Sequence, residues 1–203
     1  KVITRTWTAT DDCGNASSCE QIVTVVDNIA PTITCPANAT VTCEDDSSSA
    51  STGAATASDN CDTDVTVTES DNVADGSCPQ EKVITRTWAA TDDCGNSSTC
   101  DQIIAVVDDE APSITCPADT TVECTDTAGA ADCIGANISA AISTDSSNTG
   151  SASASDNCDP APVISQSDST AAGSCDQETI LTRTWTATDA CGNSSSTCEQ
   201  IIT

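Results

Sequence analysis

The stretch KVITRTWTATDDCGN, Lys1–Asn15, returns as KVITRTWAATDDCGN at Lys82–Asn96 and as TILTRTWTATDACGN at Thr179–Asn193. Its alternation decides the fold class. Ile3, Arg5, Trp7 and Ala9 fall on one face of an extended chain, and Val2, Thr4, Thr6 and Thr8 fall on the other. A period of two, rich in β-branched residues, marks a strand. Asp11–Asn15 carries turn chemistry, and Cys19–Val26 reads as the returning strand. Arg5 shares a face with Trp7. Two readings stay open for it: the guanidinium lies beside the indole, or it snorkels at the sheet edge.

All three tryptophans (Trp7, Trp88, Trp185) and all five basic residues (Lys1, Arg5, Lys82, Arg86, Arg183) lie inside these copies. The tryptophans are 81 and then 97 residues apart. That spacing suits small β-sandwich domains better than helical solenoid repeats of roughly 20–50 residues. The expected organisation is a strand hairpin at 1–27, a complete domain at 28–108, and a second at 109–203 with an insertion near 127–148. The hairpin reads as the end of an incomplete domain, in a window cut from a longer chain. Short acidic junctions closed by proline, Asp27–Pro31 and Asp108–Pro112, limit bending between units. Strands are expected at Thr32–Cys35, Thr40–Cys43, Ala54–Ser58 and Val65–Glu69, with loops at Glu44–Thr52 and Asp71–Glu81. No apolar 3.6-residue period persists, so no helix is expected.

The chain has no Phe, Tyr, Met or His, so each core is small. Fifteen cysteines offset that weakness. Dense cysteine in small units is the mark of oxidised extracellular domains. Zinc is disfavoured, because the cysteines are too widely spaced and histidine is absent. A net charge of −27 excludes nucleic acid as a natural partner, since phosphate binding needs clustered Lys and Arg. No run of 18 apolar residues predicts a membrane span. With no His or Tyr and no phosphate loop, nothing supports catalysis, and the expectation is a non-enzyme.

The two complete units share their cysteine spacing. Cys35 to Cys43 and Cys116 to Cys124 are each 8 residues, Cys61 to Cys78 and Cys158 to Cys175 each 17, and Cys78 to Cys94 and Cys175 to Cys191 each 16. The second unit carries 16 extra residues between Cys124 and Cys158, including the odd Cys133.

Several motifs together resemble the hyalin repeat (HYR) domain, in the cysteine-rich form found in secreted surface and gliding-type adhesins of Bacteroidota. They are APxITCP, DNC, TWxATDxCGN and CxQI, and they span essentially the whole chain. The resemblance implies an all-β fold of tandem, disulfide-rich, immunoglobulin-like β-sandwich domains in an extended beads-on-a-string array. It also implies a role in adhesion or as a spacer. The insertion around Cys133 departs from the repeat. Strand direction in such a sandwich suggests the pairs Cys35–Cys100, Cys43–Cys78 and Cys61–Cys94. Their equivalents are Cys116–Cys198, Cys124–Cys175 and Cys158–Cys191. A local Cys94–Cys100 pair is the main rival, and six cysteines allow 15 connectivities. Partners for Cys13 and Cys19 are expected in an upstream half-domain.

Acidic residues converge on the junctions in this arrangement. Asp27 and Asn28 are expected near Asp59, Asn60, Asp92 and Asp93. Asp108, Asp109 and Glu110 are expected near Asp156, Asn157 and Asp189. Calcium takes six to eight such oxygens, and an inter-domain calcium would stiffen a stalk. Hydrogen-bonded turn caps are the plainer reading. No cofactor is required. Covalent glycans are a further expectation. Sequons occur at Asn15, Asn38, Asn96, Asn137 and Asn193, and triplets resembling a bacteroidotal O-glycosylation signal place sugars on Thr120, Thr127 and Ser169.

The function expected is a structural segment of an extracellular stalk or cell-surface filament that projects an adhesin. Its partners are neighbouring repeats of the same chain and lateral copies. The alternative is an adhesin module that binds glycan or protein through its own loops, above all 125–150.

Overall fold

A computed structural model describes residues 1–122, 149–174 and 178–203. The described chain is all-β apart from one helical turn. The strands are β1 (Val2–Thr10), β2 (Ala16–Thr24), β3 (Thr32–Thr34), β4 (Ala39–Thr42), β5 (Thr56–Ser58), β6 (Thr66–Asp75), β7 (Lys82–Thr91) and β8 (Ser97–Val107). They continue as β9 (Ser113–Thr115), β10 (Ser153–Ser155), β11 (Val163–Ala172), β12 (Thr179–Thr188) and β13 (Cys198–Ile202). The repeated stretch forms β1, β7 and β12.

Each full repeat sets a short antiparallel pair against a longer sheet, in the manner of an immunoglobulin-like sandwich. In the first repeat the pair is β3–β5 and the sheet runs β4-β8-β7-β6. In the second the pair is β9–β10 and the sheet runs β11-β12-β13. Strand β4 lies parallel to β8, Ala39 opposite Ile104. The second repeat keeps a trace of this as the parallel bridge from Thr120 to Ile202. The sheets are stapled to their pairs by Cys35–Cys100 and Cys116–Cys198.

Two local expectations are corrected. Residues 71–75 are not loop: β6 continues to Asp75. Asp71 and Asp75 extend the strand because they ion-pair with Arg86 and Lys82 on β7. The acidic loop at 44–52 contains a helical turn, α1 (Ser49–Thr52). Asp46 seeds it by accepting from the Ser48 N–H at 2.9 Å and the Ser51 hydroxyl at 2.9 Å, a capping arrangement typical of Asp before a turn.

The chain forms two compact units. One comprises Lys1–Ala37, Gly53–Asp71 and Thr85–Gln102; the other comprises Asn38–Thr52, Asn72–Ile84 and Ile103–Thr203. The 28–108 repeat is therefore shared between them. In the first unit, Arg86, Trp88 and Ala90 are buried along one face of β7, with Gln102 beside them on β8. In the second, Leu181, Arg183, Trp185 and Ala187 are buried along β12, with Gln200 and Ile202 on β13. The alternation seen in the sequence is thus the alternation of burial, with arginine on the inner face.

The buried glutamines are fixed by backbone. Gln102 donates to the Ala37 carbonyl at 2.9 Å, and Gln200 donates to that of Ala118 at 2.9 Å. Each pins the turn after a Cys-Pro step to the sheet. A buried amide donor paired in this way costs little, whereas an unpaired one would cost about 1–3 kcal/mol.

Candidate cation centres and the cysteine joint

Each copy of the repeated stretch ends in the same turn. In the first unit Asp92 Oδ1 accepts from the N–H groups of Cys94 (2.9 Å) and Asn96 (2.8 Å), while Oδ2 accepts from Asn96 Nδ2 at 2.7 Å. Gly95 sits at φ +87°, which closes the turn. The second unit repeats this at Asp189 with Cys191 and Asn193. Burial raises the carboxyl pKa of Asp92 and of Asp189, but these hydrogen bonds outweigh it and hold both below the ordinary value.

The turn amides also reach the junctions. Asn96 Nδ2 donates to the Asp27 carbonyl at 3.4 Å, and Asn193 Nδ2 donates to that of Asp108 at 3.0 Å. This seats each acidic junction on the turn. Asp27, Asp59 and Asp92 then bring one carboxylate oxygen each within 4.8 Å of one another. Asp108, Asp156 and Cys158 form the corresponding group. Cys158 is in a disulfide, so the donors there are the carboxylates.

The two centres are under-satisfied. Asp108 is 5 % exposed, and its two carboxylate oxygens have no well-formed hydrogen bond, the Glu110 backbone N–H giving only weak relief. Asp59 Oδ2 and Asp156 Oδ2 are likewise buried and unpartnered. Desolvation, then the charges of Asp189 and Asp156, push the Asp108 carboxyl up. Buried carboxylates without donors are costly, and a hard cation with oxygen ligands relieves that cost. The residues present fit calcium in donor type.

The other residues expected at these centres are more open to solvent. Asn28, Asn60, Asp93, Asp109, Glu110 and Asn157 are exposed. Two acids that pattern reading passed over matter more. Asp62 accepts from the Asp93 N–H at 2.9 Å, and Asp159 from the Ala190 N–H at 2.9 Å. They lock the two turns of each centre together. The signal was the recurrence of DNCD at Asp59–Asp62 and Asp156–Asp159.

The cysteines differ from expectation. Cys43 bonds Cys158, and Cys78 bonds Cys191. The expected pairs Cys43–Cys78 and Cys158–Cys191 are therefore wrong. Both bridges lie in the second unit and tie the first repeat's sequence to the second's, with Cα separations of 5.9 and 5.0 Å. Sequence order alone assumed that cysteines close within a repeat. Cys61 and Cys94, expected to pair, are both free and exposed, as are Cys13 and Cys19. The rival Cys94–Cys100 pair is excluded, because Cys100 is bonded to Cys35. The expected Cys124–Cys175 pair, Cys133, Thr127, Asn137 and most of loop 125–150 lie outside the described residues.

Of the expected sugar sites, Ser169 is exposed on β11 and Thr120 is half-buried at its bridge to Ile202. Asn96 and Asn193 spend their amides on the turns.

No protein-family profile matches the chain, and no curated protein matches it. Among solved structures, Drosophila N-cadherin EC1-4 aligns over 92 % of this chain and 53 % of its own, at 14 % identity and a TM-score of 0.37. PcdhgB3 EC1-4 aligns over 100 % of this chain and 57 % of its own, at 11 % identity and a TM-score of 0.30. The chain spans about half the length of these structures.

Proposed function

We propose that this chain is a structural segment of an extracellular stalk or filament, built from repeats that are covalently bonded to one another. The observation that carries this is the pair of bridges Cys43–Cys158 and Cys78–Cys191. Both lie inside the second compact unit, yet in sequence they span the junction at 108–112 and so give tension a second covalent route past it. Cys35–Cys100 and Cys116–Cys198 lie wholly on either side of that junction. Such bridges need an oxidising compartment, which supports an extracellular location. The role is mechanical and non-catalytic, holding an adhesive region away from a surface.

The test is a protease site engineered at Glu110. After cleavage the oxidised halves stay together under denaturing, non-reducing conditions and part on reduction. Halves that separate without reductant would sink the reading. Joint replacement of Cys43 and Cys78 by serine is the control that should separate them.

A second element of the reading is calcium at the two acidic centres. It is supported by the buried, unpartnered oxygens of Asp108, Asp59 and Asp156. Asp27, Asp59 and Asp92 would hold one ion, and Asp108, Asp156 and Asp189 the other. A bound ion would neutralise charge at the junctions and stiffen them.

A further inference from the structure

From the acidic centre of the second unit we infer that the Cys43–Cys158 bridge masks a site for a thiophilic divalent cation, zinc by preference. Its ligands are the Cys43 and Cys158 thiolates and the Asp108 and Asp156 carboxylates. The oxidised centre offers oxygen alone and suits calcium; the opened one offers two sulfurs and two oxygens. The site rests on the bridge and the centre of the proposed function, and gives that centre a second ligand under reducing conditions.

The four donors already converge. Cys158 Sγ lies within 4.8 Å of one carboxylate oxygen each from Asp108 and Asp156. Cys43 is held there by its bond to Cys158, with a Cα separation of 5.9 Å. Its N–H donates to the Val107 carbonyl at 3.0 Å, one residue before Asp108. Asp156 Oδ1 accepts from the N–H groups of Cys158 at 2.9 Å and Asp159 at 2.7 Å, which fixes the carboxylate beside the sulfur. Its Oδ2 is buried and unpartnered. Asp108 is 5 % exposed, and neither of its oxygens has a well-formed hydrogen bond. Buried charge left in this state is costly until a cation meets it. Asp189 is not needed as a ligand, because both its oxygens are engaged by the turn at Cys191 and Asn193.

Zinc is tetrahedral and takes cysteine sulfur at about 2.3 Å and carboxylate oxygen at about 2.0–2.2 Å. Two sulfurs on such an ion lie about 3.8 Å apart, so the opened cysteines need only a small turn of their side chains. Calcium takes oxygen ligands, and thiolates shift the preference to a softer ion. The wide cysteine spacing that counts against zinc applies to a continuous motif. Here the fold brings together two sulfurs from positions 115 residues apart. The ion would hold the same two segments that the bridge holds. It would also keep two of the fifteen cysteines from mispairing until they are oxidised.

Opening the bridge takes two exchange steps with a dithiol reductant. The reductant leaves as a cyclic disulfide, and its two electrons and two protons pass to Cys43 and Cys158. Zinc then displaces one proton from each thiol. A disulfide donor reverses the sequence, and the ion departs as the bridge reforms.

The test begins with Cys43→Ser, which leaves Cys158 as a thiol in oxidised protein and needs no reductant. Zinc chloride should slow the alkylation of Cys158 by iodoacetamide, read by peptide mapping, by about tenfold or more. Calcium chloride should not. Asp156→Asn in the same background should abolish the protection, while Asp101→Asn, at an exposed acid on β8, should leave it intact. In the wild type opened with a water-soluble phosphine, zinc should protect Cys43 and Cys158 together, which covers a Cys43→Ser variant that folds poorly. Absence of zinc protection in both proteins would overturn the inference. So would protection that survives Asp156→Asn or is matched by calcium. The map of never-reduced protein separates the two readings: absence of the Cys43–Cys158 bond defeats the structural reading itself, whereas failure of zinc protection beside that bond defeats only the zinc site.

Discussion

Arg183 grips Asp168 with two parallel bonds, Nε to Oδ1 at 2.8 Å and Nη2 to Oδ2 at 2.9 Å, while its guanidinium lies 5.8 Å from the Trp185 ring centroid. The pair sits in the interior, with side-chain exposures of 2 % and 11 %. The equivalent pair, Arg86 with Asp71, has the same two bonds, but Asp71 is 35 % exposed. Removing one partner of a buried ion pair costs about 3–5 kcal/mol, because it strands the other charge. Water reaches Asp71 and screens that loss. Asp168→Ala should therefore cost about 3 kcal/mol and Asp71→Ala about 1 kcal/mol in urea denaturation of the oxidised protein. Equal costs would contradict the assignment of burial.

Asp108 gives opposite signs with and without a cation. In chelator its buried charge opposes folding, so Asp108→Asn should raise the melting temperature at neutral pH. In millimolar calcium the wild type should gain, by about 2.7 kcal/mol at a hundredfold excess over the dissociation constant, and Asp108→Asn should lose its share of that gain. An unchanged melting point on chelation of the wild type would remove the cation from the account.

Acidification acts in two stages. A carboxyl whose pKa is raised by folding, such as Asp108, destabilises above that raised value and stops doing so once protonated. Mild acid should therefore stabilise the metal-free protein, helped by relief of the −27 net charge. Asp71 is held low by its hydrogen bonds to Arg86, and Asp75 by Lys82. Their contribution is present above the unfolded value and is lost as pH falls through the folded one. Melting temperature should rise as pH falls from 7 towards the ordinary carboxylate range and fall below about pH 4. A monotonic fall from pH 7 would refute the two-stage account.

Gly95 has open space where a Cβ would lie, yet its φ is +87°. Gly95→Ala should cost about 1–2 kcal/mol from backbone strain alone. Gly95→Asn should cost less, since Asn tolerates this region. Equal stability of the two variants in thermal melts would place the cost elsewhere.

The β class, the repeat and the inner face of each Trp strand were legible because alternation and turn residues are local properties. Ile84, Arg86, Trp88 and Ala90 are buried in strict succession along β7, with the residues between them less buried. The acidic centres were legible in part, since Asp27, Asp59 and Asp92 recur at fixed places in the repeat. Asp62 and Asp159 were not, because their role is to bond a turn 31 residues away. The strand extension to Asp75 was hidden for the same reason: an acidic, Gly-bounded stretch reads as loop until Arg86 and Lys82 are seen opposite it.

The sequence by itself determined that this chain is a disulfide-rich β repeat with one Trp strand per copy, because periodicity, composition and cysteine spacing need no knowledge of distant contacts. Only the tertiary structure decided where the cysteines bond. Cys43 and Cys78, the expected pair, are nearer in sequence than Cys43 and Cys158, but a disulfide forms between sulfurs that the fold brings within a few ångströms. That proximity is set by the packing of one repeat's loops on the next repeat's turns.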